Sequence, residues 1–242
     1  MLDVLRVALA MRQGTFVDVG VNVGQTLVKV KALDPERNYV GFEPNPFCAF
    51  YAMEVIKRNR FRNCALVPVG LYTDDGLHSL DLYHDYPADA TASLVAEFRP
   101  TQKPHSRMLV PVFKYETVAD ALALDRVGVV KIDVEGGELE VLKGMSATIA
   151  KDRPVLLLEV LPVYSEANDF RKTRQDEIWG LVHGAGYAVF RIEKTKKDRY
   201  AGLAPVESFG IHSDLSRCDY IVVPGELADQ VMTRPASAPG QR

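Results

Sequence analysis

The feature that most constrains the fold of this chain is an alternation between short apolar, β-branched runs and longer amphipathic stretches. Several of the runs are apolar at every position, which is typical of a parallel sheet covered by helices on both faces. Strands are predicted at residues 14–19, 38–43, 64–71, 127–134, 154–160, 187–193 and 219–224, with helices near 24–33, 46–59, 137–150 and 174–184. This pattern predicts an α/β fold with a doubly wound, mostly parallel sheet.

Composition and charge limit the classes of protein to which this chain can belong. The chain has 242 residues, of which 47% are hydrophobic, enough to bury a sizeable core. Its net charge of −3 lacks the basic excess of a nucleic-acid-binding protein, so we expect no nucleic-acid partner. No apolar run is long enough to span a bilayer. The three cysteines have neither zinc-ligand nor disulfide spacing, which indicates reduced thiols and a cytoplasmic location.

The predicted domain organisation has three parts. Residues 1–13 are expected to form an amphipathic helix rather than a signal peptide, because charged residues interrupt the apolar run and no cleavage site follows. Residues 14–225 form one domain. Within it, residues 84–108 are rich in proline, alanine and serine, and a connection of that length is usually a lid or a binding loop. Residues 226–242 are expected to be a flexible tail.

The turn after the first strand, in "GTFVDVGVNVGQTLVKV" (14–30), has the outline of a ligand-binding loop. In open parallel sheets, ligands bind at the carboxyl ends of the strands. Gly20 and Gly24 let the backbone approach a ligand closely, and the following helix directs its positive end toward an anionic group. The spacing differs from the G-x-G-x-x-G dinucleotide fingerprint. Asp18 would repel a pyrophosphate and accept from an ammonium group, so an amino-acid-like ligand end fits better.

Glu43 closes the second predicted strand, in "GFEPNP". A carboxylate at this position can accept both hydroxyls of a ribose. Alternatively, Glu43 is a helix-start acid, with Asn45 or Pro46 beginning the next helix. Together with the turn at 18–24, the ribose interpretation points to a ligand with a ribose at one end and an amino acid at the other. That ligand is S-adenosylmethionine.

The fourth predicted strand ends in several ionisable residues. Lys131, Asp133 and Glu135 lie at its end, and Glu138 follows one turn into the next helix. Such groups are costly to bury unless they pair with each other or serve a site. Alternatively, Glu135 and Glu138 are helix caps and Lys131 is the ion-pair partner of an acid. Asp133 is the stronger functional candidate, and Glu159, at the tip of the fifth strand, is its expected neighbour.

These motifs resemble those of the FkbM family of S-adenosylmethionine-dependent methyltransferases. The segments that carry the resemblance are "FVDVGVNVGQT", "GFEPNP", "VVKIDVEGGELEVLKG" (129–144) and "PVLLLEV" (154–160). The resemblance implies a Rossmann-like class I methyltransferase fold of seven strands, the last antiparallel. It also implies O-methylation of a hydroxyl on a sugar, a glycan or a secondary metabolite, and a cofactor site formed by the first turn and the acid after strand two.

The predicted site follows from these readings. The cofactor-binding candidates are Asp18, Gly20, Asn22, Gly24, Glu43, Asn45 and Asp133. Asp133 or Glu159 is a candidate for the base that receives the acceptor's proton, or the two hold a divalent cation, for which oxygen ligands favour Mg²⁺. His84, in the long loop, is a further candidate for the base. Which residue of 71–75 meets the adenine is left open.

Two other functions stay open from the sequence. A nicotinamide-dependent oxidoreductase would use a similar sheet, although the missing third glycine and Asp18 argue against it. A domain that binds the cofactor without catalysis would keep the first turn, and a fold by itself does not distinguish these functions. The expected partner is a small-molecule or glycan hydroxyl acceptor.

Overall fold

The computed structural model describes residues 1–96, 98–197 and 199–232. A single large sheet runs through the molecule, flanked by helices. Its strands are β1 (Thr15–Val19), β2 (Tyr39–Phe42), β3 (Cys64–Val67), β7 (Val127–Ile132), β8 (Val155–Glu159), β9 (Tyr187–Lys194), β10 (Tyr200–Pro205) and β11 (Asp219–Pro224). A second, three-stranded sheet contains β4 (Gly70–Leu71), β5 (Gly76–Leu82) and β6 (Ser106–Phe113).

The strand order of the large sheet is β10-β9-β11-β8-β7-β1-β2-β3. Strands β3, β2, β1, β7 and β8 pair in parallel, whereas β11 runs antiparallel to both β8 and β9. This confirms the predicted doubly wound, mostly parallel sheet, with the antiparallel last strand that the resemblance implied. The sheet has one strand more than the seven expected, because β10 pairs antiparallel with β9 at the edge.

Helices cover both faces of the sheet. On one face, α1 (Leu2–Met11), α2 (Gln25–Leu33) and part of α3 (Pro46–Asn59) pack on the apolar side chains of the strands. The other face is covered by α4 (Tyr115–Ala121), α5 (Glu138–Gly144), α6 (Ser146–Asp152) and α7 (Asp169–Gly184). Every residue of β1 and of β7 is buried, and their sequences are apolar except at Thr15, Asp18 and Lys131.

The helix predicted over 137–150 is divided into α5 and α6 at Met145. Gly144 ends α5 where the chain passes very close to β4. A Cβ at Gly144 would lie 2.2 Å from the carbonyl oxygen of Tyr72, so only glycine permits this approach. The predicted strand 64–71 is likewise divided into β3 and β4, which belong to different sheets.

The segment between β5 and β6, residues 83–105, contains most of the predicted lid. It packs on the body of the protein, with Val95 and Phe98 buried and an antiparallel bridge joining Ser93 to Asp81. We call residues 83–105 the roof, because they cover the carboxyl ends of the central strands. Residue 97, within it, lies outside the described residues.

Secondary structure continues past the predicted domain boundary at residue 225. A short helix, α8 (Ala228–Met232), follows, and Leu227 and Val231 are buried against the first helical layer. These apolar contacts explain why residues 226–232 do not behave as the expected tail. The rest of the predicted tail, 233–242, lies outside the described residues.

Candidate active site

A cleft enclosing about 720 Å³ of space, part of it open to solvent, lies at the carboxyl ends of β1, β2 and β7. Its walls come from the turns after these strands, from β4 and β5, and from the roof. The lining residues are Val19, Gly20, Asn22, Phe42, Glu43, Pro44, Cys48, Gly70, Leu71, Tyr72, Leu80, Asp89, Ala90, Ala92, Leu94, Asp133, Val134, Glu135, Gly137 and Val141. Four predicted site residues, Gly20, Asn22, Glu43 and Asp133, are therefore brought together.

The turn after β1 depends on backbone angles that favour glycine. Gly20 has φ of +82°, and a Cβ there would lie 1.9 Å from the carbonyl oxygen of Asp133. Gly20 therefore allows the ends of β1 and β7 to meet. Asn22 has φ of +51°, which asparagine tolerates better than most residues. Gly24, with φ of +90°, is the N-cap of α2 and is not part of the cleft wall.

Glu43 is a buried carboxylate held at the cleft wall by two backbone amides. Its Oε2 accepts from the Asn22 amide at 2.7 Å, and its Oε1 accepts from the Asn45 amide at 2.8 Å. Burial raises the pKa of Glu43 to about 7, although these two hydrogen bonds act in the opposite direction. Each carboxylate oxygen keeps a free lone pair, so Glu43 can still accept a hydrogen bond from a ligand hydroxyl.

Asp18 lies beneath the turn and away from the cleft. It is completely enclosed, accepts a hydrogen bond of 2.6 Å from the Tyr39 hydroxyl, and lies 3.6 Å from the Lys131 ammonium. Burial raises the pKa of Asp18, opposed by the Lys131 charge and the Tyr39 hydrogen bond. This corrects the expectation of direct ligand contact. Alternation along β1 directs Asp18 to the face covered by α1 and α2, beside Phe16.

The Tyr39 hydroxyl is expected to stabilise the fold through Asp18. Tyr39→Phe removes a buried hydrogen bond to a charged group, so the free energy of unfolding should fall by about 1.5–3 kcal/mol in chemical denaturation. Tyr115→Phe is the matched control, because the buried Tyr115 hydroxyl has no hydrogen-bond partner among the described residues. That substitution should leave stability unchanged or slightly raised. Equal losses in both variants would contradict this role of Asp18.

Asp133, Lys131 and Glu159 form a connected group at the ends of β7 and β8. The Lys131 ammonium lies 3.0 Å from the Asp133 carboxylate, and the Asp133 and Glu159 side chains are within hydrogen-bonding range. Burial raises the pKa of Glu159, and the adjacent Asp133 charge raises it further. Burial alone would raise the pKa of Asp133, but Lys131 and Glu159 outweigh it and lower that pKa. Lys131 therefore favours the charged form of Asp133, and the adjacent Asp133 favours the protonated form of Glu159.

Glu135 and Glu138 hold the turn between β7 and α5. Glu138, the first residue of α5, accepts from the amides of Gly136 and Val134 at 3.1 and 3.3 Å, so it holds the turn before the helix and does not act as the predicted helix cap. Glu135, with φ of +54°, binds the Arg99 guanidinium of the roof at 2.6 Å. These contacts join the roof to the turn that carries Asp133.

Three of the acids come close enough to be considered as metal ligands. Oxygens of Asp133, Glu135 and Glu159 lie within 4.8 Å of one another. Lys131 already supplies a positive charge beside Asp133, and Arg99 supplies one beside Glu135. Because Lys131 and Arg99 already neutralise these carboxylates, the three acids are poor ligands for the predicted Mg²⁺.

His84 contacts Asp89, a cleft residue that was not predicted from the sequence. His84 is not part of the cleft wall, and its Nδ1 lies 3.0 Å from Asp89 Oδ1. Asp89 also accepts hydrogen bonds from the amides of Tyr83, His84 and Thr91. Burial alone would raise the pKa of Asp89, but these hydrogen bonds lower it to about 2. His84 thus supports the roof instead of facing the cleft.

Asn45 also lies outside the cleft wall, where it caps α3 and binds the roof. Its side chain accepts from the Phe47 amide as the N-cap of α3, and its side-chain amide donates to the Pro87 carbonyl of the roof at 2.8 Å. Of the stretch 71–75, Leu71 and Tyr72 line the cleft. Asp89 carried no signal in the sequence, because it becomes important only when the roof folds over the strand ends.

A comparison with known protein families identifies the family to which this chain belongs. The sequence model of the methyltransferase FkbM domain matches residues 18–189, which includes all four strand ends that form the site. The chain belongs to this family. The predicted family resemblance is therefore confirmed.

Two curated relatives are named as methyltransferases. The chain is 29% identical over 160 residues to methyltransferase sdnD of Sordaria araneosa, covering 53% of this chain and 59% of that protein. It is 26% identical over 144 residues to methyltransferase 1 of Beauveria bassiana, covering 53% and 57%. The matched region spans less than two thirds of the length of each relative.

A solved structure supports the FkbM family fold. The crystal structure of methyltransferase FkbM from Methylobacillus flagellatus covers 87% of this chain, with a TM-score of 0.54 and 16% identity. The match covers 43% of that chain. The fold is thus that of the class I methyltransferases. Among the described residues, we find no helix with the length and hydropathy of a membrane span.

Proposed function

We propose that this FkbM-family protein transfers a methyl group from S-adenosylmethionine to a hydroxyl of a small molecule or glycan in the cytoplasm. The observation that carries the proposal is Glu43. Its carboxylate is fixed at the wall of a 720 Å³ cleft by two backbone amides, beside the bare backbone of Gly20. A fixed carboxylate next to a glycine turn suits a ligand with a ribose and an amino-acid end.

The residues of the cleft fit this cofactor. Glu43 would accept the ribose hydroxyls, and Gly20 and Asn22 would present backbone to the amino-acid end. Leu71, together with Tyr72, gives an apolar wall suited to the adenine. Asp18 would act indirectly, by holding Lys131 and Tyr39 beneath the turn.

The chemistry asks the protein to place an acceptor oxygen and to receive its proton. When bound, S-adenosylmethionine would supply an electrophilic methyl group for the new oxygen–carbon bond, and its sulfur would leave with the electron pair of the carbon–sulfur bond as S-adenosylhomocysteine. Asp133 lies at the cleft wall as a carboxylate, oriented by Lys131 at 3.0 Å. The oxygen becomes more acidic as it gains the methyl group, so a carboxylate of lowered pKa is a sufficient proton acceptor. Glu159 holds Asp133 in place through their shared hydrogen bond.

The roof, residues 83–105, is the part of the domain that we propose selects the acceptor. It closes one side of the cleft through Asp89, Ala90, Ala92 and Leu94. None of the four segments that carry the family resemblance lies within it. Exclusion of water by such a cover favours transfer to the bound hydroxyl.

Titration calorimetry with S-adenosylhomocysteine tests the cofactor site. We expect Glu43→Gln to weaken binding by at least about tenfold, because a hydrogen bond to a charged group contributes about 1.5–3 kcal/mol. The pKa of Glu43 is raised to about 7, and only the ionised form accepts from both ribose hydroxyls. Binding by the unmodified protein should therefore tighten as the pH rises, by about tenfold between pH 6 and pH 8.

The matched control is Glu54→Gln, which changes a partly buried acid on the outer face of α3 that pairs with Lys57 and Arg58 and does not line the cleft. It should leave both the affinity and its pH dependence unchanged. Failure of the unmodified protein to bind S-adenosylhomocysteine would refute the proposed cofactor, and tighter binding of a nicotinamide dinucleotide would favour the oxidoreductase. Transfer from labelled S-adenosylmethionine to a panel of glycosides and hydroxylated metabolites then tests catalysis, since a non-catalytic domain would bind and transfer nothing.

A further inference from the structure

The outer face of α3 carries a row of exposed aromatic side chains. Phe47, Phe50 and Tyr51 are spaced three and four residues apart, so they share one face of the helix. Their exposed fractions are 48%, 60% and 57%. The opposite face of the same helix, with Cys48, Ala49 and Ala52, is buried against the protein. The aromatic residues therefore contribute nothing to the core.

The same face becomes basic toward the end of the helix. Lys57 and Arg58 continue the row by the same helical spacing, and both are largely exposed. Arg60 and Arg62 follow directly and are also exposed. Segment 46–62 holds these four cations and one acid, Glu54, in a chain whose net charge is −3. Its positive charge is thus a local feature that the composition of the whole chain does not explain.

Aromatic side chains beside lysine and arginine are the pattern of a helix that lies in a membrane interface. The apolar side chains enter the headgroup boundary, and the cations attract anionic lipids. Aromatic residues and arginine are also enriched in protein–protein interfaces, but the four cations of segment 46–62 favour an anionic surface, because charged residues are depleted at the cores of such interfaces. We call the row formed by Phe47, Phe50, Tyr51, Lys57 and Arg58 the α3 face.

We propose that the α3 face docks on the surface of an anionic lipid bilayer. The cleft lies on the other side of the same helix, where Cys48 lines it and Asn45, the N-cap, binds the roof. The membrane contact itself depends only on the α3 face and stands apart from the proposed methyl transfer.

Vesicle binding by the full chain tests this inference. We expect the protein to co-sediment with vesicles of phosphatidylcholine mixed with phosphatidylglycerol, and to remain in solution with phosphatidylcholine alone. Added salt should weaken the binding, because it screens the attraction between exposed cations and the lipid. Free phosphate or glycerophosphate should not compete, because neither offers an apolar phase for the aromatic side chains.

Variants of the α3 face separate its two contributions. Lys57→Gln combined with Arg58→Gln should lower the partition coefficient by about 30-fold, since each cation near the surface contributes about 1 kcal/mol. Phe50→Ser combined with Tyr51→Ser should lower it by at least about tenfold. These positions are exposed, so thermal unfolding and S-adenosylhomocysteine binding should match the unmodified protein.

The control is an equally exposed apolar pair on the small sheet. Leu77 and Leu109 are 69% and 73% exposed, and Leu77→Ser combined with Leu109→Ser should leave vesicle binding unchanged. Absence of binding to the anionic vesicles would overturn the proposal. So would binding that the α3 variants do not weaken, or light scattering in which these variants only dissociate a dimer.

Discussion

Asp133→Asn is expected to lower the rate of methyl transfer by about 10²–10⁴-fold, while the affinity for S-adenosylhomocysteine changes much less. Asparagine keeps the size of the side chain but cannot receive the proton that the acceptor hydroxyl loses, and general bases contribute by about this factor. Asp133 is placed for the role because it lines the cleft as a carboxylate between Lys131 and Glu159. The measurement is the turnover of the best acceptor from the panel, with labelled S-adenosylmethionine.

The result is specific to Asp133 only if other acids behave differently. Asp3→Asn, an exposed acid on α1, should leave turnover unchanged. Glu159→Gln should lower turnover less than Asp133→Asn, because glutamine can still donate a hydrogen bond to Asp133. Near-normal turnover in Asp133→Asn, with a large loss in Glu159→Gln, would show that the two acids have the opposite roles.

Lys131→Met is expected to lower the free energy of unfolding by about 3–5 kcal/mol at neutral pH, the range for removing one partner of a buried ion pair. The Lys131 side chain is almost completely buried between Asp18 and Asp133. Burial alone would lower the pKa of Lys131, but these two carboxylates outweigh it and raise that pKa. Without the ammonium, Asp18 stays enclosed with no opposing charge. Urea denaturation measures the loss.

The pH dependence of this loss follows from Asp18. Its folded pKa is already raised by burial and would rise further without Lys131, so the variant should lose stability relative to the unmodified protein as the pH rises. Lowering the pH protonates Asp18 and should reduce the difference. Adding Asp18→Asn to Lys131→Met should restore part of the stability.

Lys143→Met provides the matched control for this substitution. Lys143 pairs with Glu177 at 2.6 Å, but both side chains are more than 40% exposed. Such pairs contribute about 0–1 kcal/mol, so the change should be small. A comparable loss in the two lysine variants would show that burial of Lys131 is not the cause.

The elements of the central sheet were largely predictable, because each buried strand is continuously apolar and each flanking helix has one apolar face. Strands β6 and β10 were not predicted, because they lie in polar surroundings and one face of each is exposed. The division of 137–150 at Met145 was also missed. It depends on the close approach of Gly144 to Tyr72, which is distant in sequence.

The residues of the site were likewise only partly predictable from the sequence. Gly20, Asn22, Glu43 and Asp133 were predicted from local patterns, and they meet because the carboxyl ends of parallel strands lie at one edge of the sheet. Asp18 follows the same local pattern, yet its side chain faces the helical layer. His84 was also predicted as a candidate for the base, but in the folded roof its side chain contacts Asp89 and does not line the cleft.

The sequence by itself therefore determined the family, the order of strands and helices, and the turns that can hold a cofactor, because these depend on hydrophobic periodicity and short motifs. Only the tertiary structure decided which acids face the cleft and which are paired beneath it. Lys131 takes its role from the registers that place it beside Asp18 and within 3.0 Å of Asp133. The charge state of a buried carboxylate depends on such neighbours, and neighbours from different strands meet only when the chain is folded.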